Sequence, residues 1–110
     1  MNVYSPDVWV ILKIAAVDEE PIYKILAGWY GGFAGSNSWK LSSGITTVEP
    51  DLEFDQIHYH QSSGSTYICG AHTYGFSSLT QSMFNNWAKQ SEENNFTIEV
   101  MPKGFEVPNE

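Results

Sequence analysis

Chemistry-bearing side chains concentrate between Glu49 and His72. Glu49, Asp51, Glu53 and Asp55 alternate with Pro50, Leu52 and Phe54. An extended backbone would set these carboxylates on one face at a spacing of about 6.6 Å. Such a row resembles one strand of nucleic-acid backbone, so it suits the basic groove of a nucleic-acid-binding protein, which it would occupy as a decoy. Charge of this kind also suits a solvated edge strand, where it discourages pairing with another sheet. Pro50 makes the first step of the row irregular, which leaves Asp51, Glu53 and Asp55 as the candidate partner-binding acids.

His58 and His60 follow on one face of the next extended segment, and Cys69 with His72 has a C-x-x-H spacing short enough to chelate. These side chains are a chemically permissible zinc set, but their spacing matches no standard finger, and a lone thiol commonly behaves as a small hydrophobe. Ordinary strand packing is expected of them, with no metal and no cofactor. Acid-base chemistry needs its groups converged, and no serine elbow, metalloprotease helix or paired-acid signature stands at these positions. A non-enzymatic protein is the expectation.

Gly28, Gly31, Gly32 and Gly35 interleave with Trp29, Tyr30 and Phe33, and Trp39 follows after a Gly-Ser-Asn-Ser turn cluster. Small residues opposite rings let a twisted sheet fill its core, and strand glycines mark bends or close backbone approach. The alternative is a platform of exposed rings, Trp29, Tyr30, Phe33 and Trp39, able to stack on a flat ligand such as a nucleotide. The stretch lacks the Lys-Ser or Lys-Thr ending of a phosphate loop and the strand-to-helix context of a dinucleotide fingerprint.

The elements that must carry these residues follow from periodicity. Residues 8–17 are almost continuously apolar with Lys13 as the interruption, which reads as a central strand buried on both sides. A polar turn through Asp18, Glu19, Glu20 and Pro21 leads into an antiparallel neighbour. A short strand over 45–48 ends at Pro50, and another begins near Leu52. IHYHQ and STYIC form a hairpin through Ser62, Ser63 and Gly64. The one helix runs from Ser78, capped by Ser78 with Gln81, to about Glu93, with Leu79, Met83, Phe84, Trp87 and Ala88 as its apolar stripe. A last strand over 96–101 alternates Thr97, Glu99 and Met101 to one side.

Length and charge bound the rest. At 110 residues with 42% hydrophobic and 15% aromatic content, the chain is one ordered domain. Its single cysteine excludes an intrachain disulfide and suits a reducing compartment. With no basic leader, no bilayer-length apolar run and no arginine at a net charge of −8, the expected setting is cytoplasmic, without membrane or direct nucleic-acid binding. Basic proteins are the partners such a surface attracts.

WVILKI, YKILAGWYGGFAGSNSWKLSSGI, SGSTYIC and YGFSS, spread over about 6–100, together resemble a family of small bacteriophage and prophage proteins mostly of unknown function. The resemblance implies a viral accessory protein acting in bacterial cytoplasm, with no catalytic residue to carry over. HYHQS before SGSTY and CGAH after it depart from the commoner pattern, which separates His58, His60 and His72 from any shared role. The expected fold is α+β over 1–110: a strongly bent antiparallel sheet of about five or six strands with one amphipathic helix on a face, ordered over about 6–101 with a loose tail at 102–110. The expected function is stoichiometric binding and inhibition of a host protein, such as a defence or nucleic-acid enzyme, through the acidic surface. The alternatives are a small-ligand binder using the aromatic hairpin and a virion or assembly component.

Overall fold

In the computed structural model, which describes residues 2–32 and 35–108, the apolar segment near the N-terminus becomes strand β2 (Val8–Ala16), and the fold is layered on its two faces. Trp9 and Ile11 point one way and Val10 and Leu12 the other, all four buried. A strand with two apolar faces needs a cover on each side. Here one cover is a second sheet and the other is the helix.

β2 lies in a sheet of order β4-β3-β2-β8, with β3 at Ile22–Trp29, β4 at Ser38–Leu41 and β8 at Phe96–Val100. All its pairings are antiparallel, and β2 and β3 are in register from Val8 opposite Gly28 to Ile14 opposite Ile22. The other sheet has the order β1-β7-β6-β5, from β1 at Val3–Tyr4, β5 at Ile45–Asp51, β6 at Gln56–Gln61 and β7 at Thr66–Gly70. β5, β6 and β7 form an antiparallel meander, and β1 joins β7 in parallel. The core between the sheets takes Trp9, Ile11, Ile25 and Ala27 from one side and Tyr59, Tyr67 and Cys69 from the other. On the far face of the first sheet, Val10, Leu12 and Leu26 meet Phe84 and Trp87 of helix α1 (Ser78–Ser91).

The α+β class with one packed helix holds, but the single bent sheet of five or six strands is corrected to two sheets of four strands each. The corner is the Ser42–Gly44 turn. Ser42 N–H donates to Ile25 O (2.9 Å) and its Oγ accepts from Ile25 N–H (2.8 Å), holding the turn to β3. Gly44 N–H then donates to Gln61 Oε1 (3.2 Å) and its carbonyl accepts from Ser62 N–H (2.8 Å), holding it to β6 in the other sheet. The chain changes sheets there instead of bending within one.

The helix cap lies one residue earlier than Ser78. Ser77 Oγ accepts from Thr80 N–H (3.1 Å), and Ser77 N–H donates to Thr80 Oγ1 (2.8 Å), a reciprocal capping box. This first turn presses onto Gly28, where an added Cβ would lie 3.1 Å from both Thr80 Cγ2 and Val8 Cγ2. Gly28 is therefore a close approach of helix to strand. The tail is packed over its described part: Phe105 and Val107 lie against the inter-sheet core, and the Phe105 ring sits 5.4 Å from that of Tyr23. These two partly buried side chains are the tail's contacts with the core, and Glu106 between them is exposed. Among the described residues no helix is long and apolar enough to cross a membrane.

Candidate functional site

The acidic residues are held by a turn. β5 ends at Asp51, and Leu52–Asp55 reverses the chain into β6. Asp51 Oδ1 accepts from Phe54 N–H (3.4 Å), a side-chain-to-backbone bond that favours reversal over continued strand. Asp55 sits at φ 51°, a left-handed position that aspartate tolerates, and its carbonyl accepts from Ala71 N–H (2.8 Å). The extended carboxylate row is thus corrected: Glu49 and Asp51 share β5, while Glu53 and Asp55 lie around the turn. The same reversal lifts Leu52 and Phe54 into solvent, at 89% and 66% exposure. The strand-like alternation over 49–55 carries no sign of this projection.

Each acid except Glu53 has a histidine nearby. His60 Nε2 lies 3.1 Å from Glu49 Oε1, His58 Nε2 3.7 Å from Asp51 Oδ2, and His72 Nε2 3.8 Å from Asp55 Oδ2. The buried Nε2 of His58 makes no hydrogen bond among the described residues. His60 Nδ1 is also 2.9 Å from Thr66 Oγ1, so Glu49, His60 and Thr66 form a carboxylate–imidazole–hydroxyl chain across three strands. That order is the order of a nucleophile relay. It lies on the open outer face of its sheet, however, and Thr66 N–H is already committed to Asn2 O (2.9 Å), so the nucleophile's own amide cannot stabilise an oxyanion.

The zinc set does not assemble. His58 and His60 face outward, whereas Cys69 is buried in the core opposite Ile57, and burial pushes its thiol well above the ordinary range. No group of three His, Cys, Asp or Glu able to hold a metal occurs among the described residues.

The aromatic platform is divided between two faces. Trp29 is half-buried toward the inter-sheet core, its Nε1–H donating to Ser5 O (3.0 Å) and its ring 6.3 Å from that of Tyr4. Trp39 pairs with Gly28, on the helix side, and its ring stands edge-on to Trp87 at 5.4 Å. Tyr30 is exposed beyond the end of β3 with its N–H held by Asp7 Oδ2 (2.8 Å). Phe33 lies outside the described residues. Alternation along β3 and β4 separates Trp29 from Trp39, so the two are not one stacking surface.

A recess that the sequence did not reveal opens between the sheets beside the β5–β6 turn. It encloses about 560 Å³, with Trp9, Tyr59, Tyr74 and Phe105 among its walls and Asp51 and Asp55 at its rim. Tyr74 is anchored: its hydroxyl accepts from Ile11 N–H (3.0 Å) and donates to Met101 O (2.5 Å). Trp9 is anchored too, through Nε1–H to Gly70 O (2.8 Å). The walls are therefore fixed by backbone contacts. No family model, curated protein or solved structure matches this chain.

Proposed function

We propose that this chain is a stoichiometric protein-binding module that engages its partner through the β5–β6 turn. Leu52 and Phe54 enter an apolar depression on the partner, while Asp51, Glu53 and Asp55 face a basic rim around it. The observation that carries this reading is the exposure of two large apolar side chains at the tip of a hairpin whose intervening and flanking residues are acidic. Isolated exposed apolar residues are ordinary, but an aromatic and an aliphatic anchor ringed by charge have the anatomy of an interface centre and its rim. The net charge of −8 adds long-range attraction to a basic surface. The likeness of GWYGGF, SWKLSSGI and SGSTY to phage and prophage proteins favours a bacterial host protein as partner and inhibition as outcome.

The test begins with a photo-crosslinking phenylalanine analogue at position 54, which tags whatever contacts the turn in bacterial lysate. The partner is then purified and titrated by calorimetry. Phe54→Ser is expected to weaken binding at least about 30-fold, the range of a central aromatic anchor. Neutralising the acids as Asp51→Asn, Glu53→Gln and Asp55→Asn is expected to slow association and flatten its salt dependence. Binding that both sets of substitutions leave untouched would refute the turn as the contact.

A further inference from the structure

We infer that a second cavity, between the Ser42–Gly44 corner and the β6–β7 turn, binds a phosphate dianion, free or as the head of a small monoester. It encloses about 420 Å³, within the roughly 300–1,000 Å³ of small-molecule sites. Its charge runs against that of the chain. Thirteen acids stand against five lysines and no arginine overall, yet Lys24 and Lys40 line this cavity and, among the described residues, no Asp or Glu does. Neither lysine forms an ion pair among the described residues. Lys40 Nζ stands 5.2 Å from the centre of the Tyr4 ring, which also lines the cavity. By strand alternation Lys40 lies on the face of Ala27 and Lys24 on the face of Leu26, so the two flank the sheet edge from opposite sides.

The hydroxyls of the wall point independently to an acceptor-rich guest. Ser42 Oγ accepts from Ile25 N–H (2.8 Å), Ser43 Oγ from Ser63 N–H (3.1 Å) and Ser63 Oγ from Ser65 N–H (3.4 Å). A hydroxyl whose oxygen already accepts from the backbone still has its own proton to give. None of these three donates to a protein acceptor among the described residues. All three line the cavity together with Ser65. The wall therefore offers donors from two ammonium groups and several hydroxyls, with its serine oxygens already engaged.

That inventory selects among anions. A carboxylate brings two oxygens and a single charge, whereas a phosphate monoester brings three terminal oxygens and about −1.5 to −2 charge at pH 7. Lysine attracts phosphate as a point charge, without the planar fork that an arginine–carboxylate pair requires. Two lysines match a dianion, and the hydroxyls match its further oxygens. The site is separate from the proposed protein contact: no residue from Asp51 to Asp55 lines it, and it lies at the other end of β6 from their turn.

Amide NMR titrations of the full chain with sodium phosphate, glycerol 3-phosphate, glycerol and acetate, at constant ionic strength and pH 8, test the inference. Phosphate or its glycerol ester is expected to shift the amides of Ser43, Ser63 and Ser65 saturably, with a Kd of about 1 mM or tighter, while Leu52–Asp55 stays unshifted. Tighter binding of the ester would show that the carrier is held as well, and equal affinities would assign the cavity to free phosphate. Glycerol and acetate are expected to give no saturable shift. Lys24→Gln and Lys40→Gln should each weaken binding about tenfold, the typical loss of a hydrogen bond to a charged group, with the thermal midpoint of the free protein unchanged. Lys89→Gln removes the same charge from the helix and should leave affinity as it is. The inference is overturned if neither phosphate nor the ester shifts these amides, if acetate matches them, if neither cavity lysine matters, or if Lys89→Gln weakens binding as much as the cavity variants do.

Discussion

Two tyrosines that line the same recess should answer the same substitution in opposite ways. Tyr74→Phe deletes a hydroxyl bonded to both Ile11 N–H and Met101 O, at 3.0 and 2.5 Å. The ring remains, so the edge-on contact with Trp9 at 4.8 Å survives and no cavity larger than one oxygen appears. What is lost is satisfaction of two backbone groups where β2 outruns β8, since Ile11 carbonyl still accepts from Met101 N–H (2.8 Å) but its own N–H has only Tyr74. Stranding a buried polar group costs about 1–3 kcal/mol, and both groups are partly reachable by water, so the loss should be about 2–4 kcal/mol. For a small domain that is a large share of the total stability. Tyr59→Phe removes a hydroxyl with no partner among the described residues and should be neutral or slightly stabilising. Urea unfolding followed by tryptophan fluorescence reads both, with an unchanged denaturant slope as the sign that only stability moved. A Tyr74→Phe loss below about 1 kcal/mol, or equal losses for the two variants, would refute the unequal roles of the two hydroxyls.

Other consequences are equally direct. Burial raises the Tyr67 hydroxyl from 10.0 to about 12, so its contribution is complete below pH 10 and is lost as pH climbs toward 12; alkaline urea titrations should show this fall, and Tyr67→Phe should reduce it. Gly28→Ala should cost about 1–3 kcal/mol by overpacking against Thr80 and Val8 at 3.1 Å, and Thr80→Ser, which keeps the capping hydroxyl but removes Cγ2, should return part of that loss in the double variant. The edge-on Trp39–Trp87 pair at 5.4 Å should give a coupling of about 0.5–1.5 kcal/mol in a double-mutant cycle, measured by chemical unfolding.

β2 was legible because a strand apolar on both faces has only one kind of environment. The β6–β7 hairpin was legible because Ser62, Ser63 and Gly64 interrupt two β-rich runs, and Gly64 adopts φ 91° there. The helix cap was harder: Ser78 with Gln81 fits the sequence signature of a capping box, whereas the cap formed, Ser77 with Thr80, is held in place by Thr80 packing under Gly28, a contact between distant segments. Ser42, Ser43 and Gly44 announce a turn but not whether the next strand returns to the same sheet. That depends on Gln61 reaching Gly44 across the chain. Alternation through 49–55 imitated a strand because nothing in the pattern says that Asp51 will capture Phe54 N–H. The recess was invisible, since its walls come from β2, β5, β6, the segment at Tyr74 and the tail at Phe105.

The pairing of β2 with β8 fixes an order of events during synthesis. The β5–β6–β7 meander joins neighbours through short turns and can close soon after its residues leave the ribosome, because closing a short loop forfeits little chain entropy. β2 can find β3 almost as early, yet its other edge, from Leu12 to Ala16, stays open until Phe96–Val100 arrives. Until then the nascent chain presents an unpaired strand edge with apolar side chains on both faces, the geometry that recruits another nascent chain. Release without the β8 segment would make that transient hazard permanent, so the last strand acts as the seal on a chain otherwise prone to self-association.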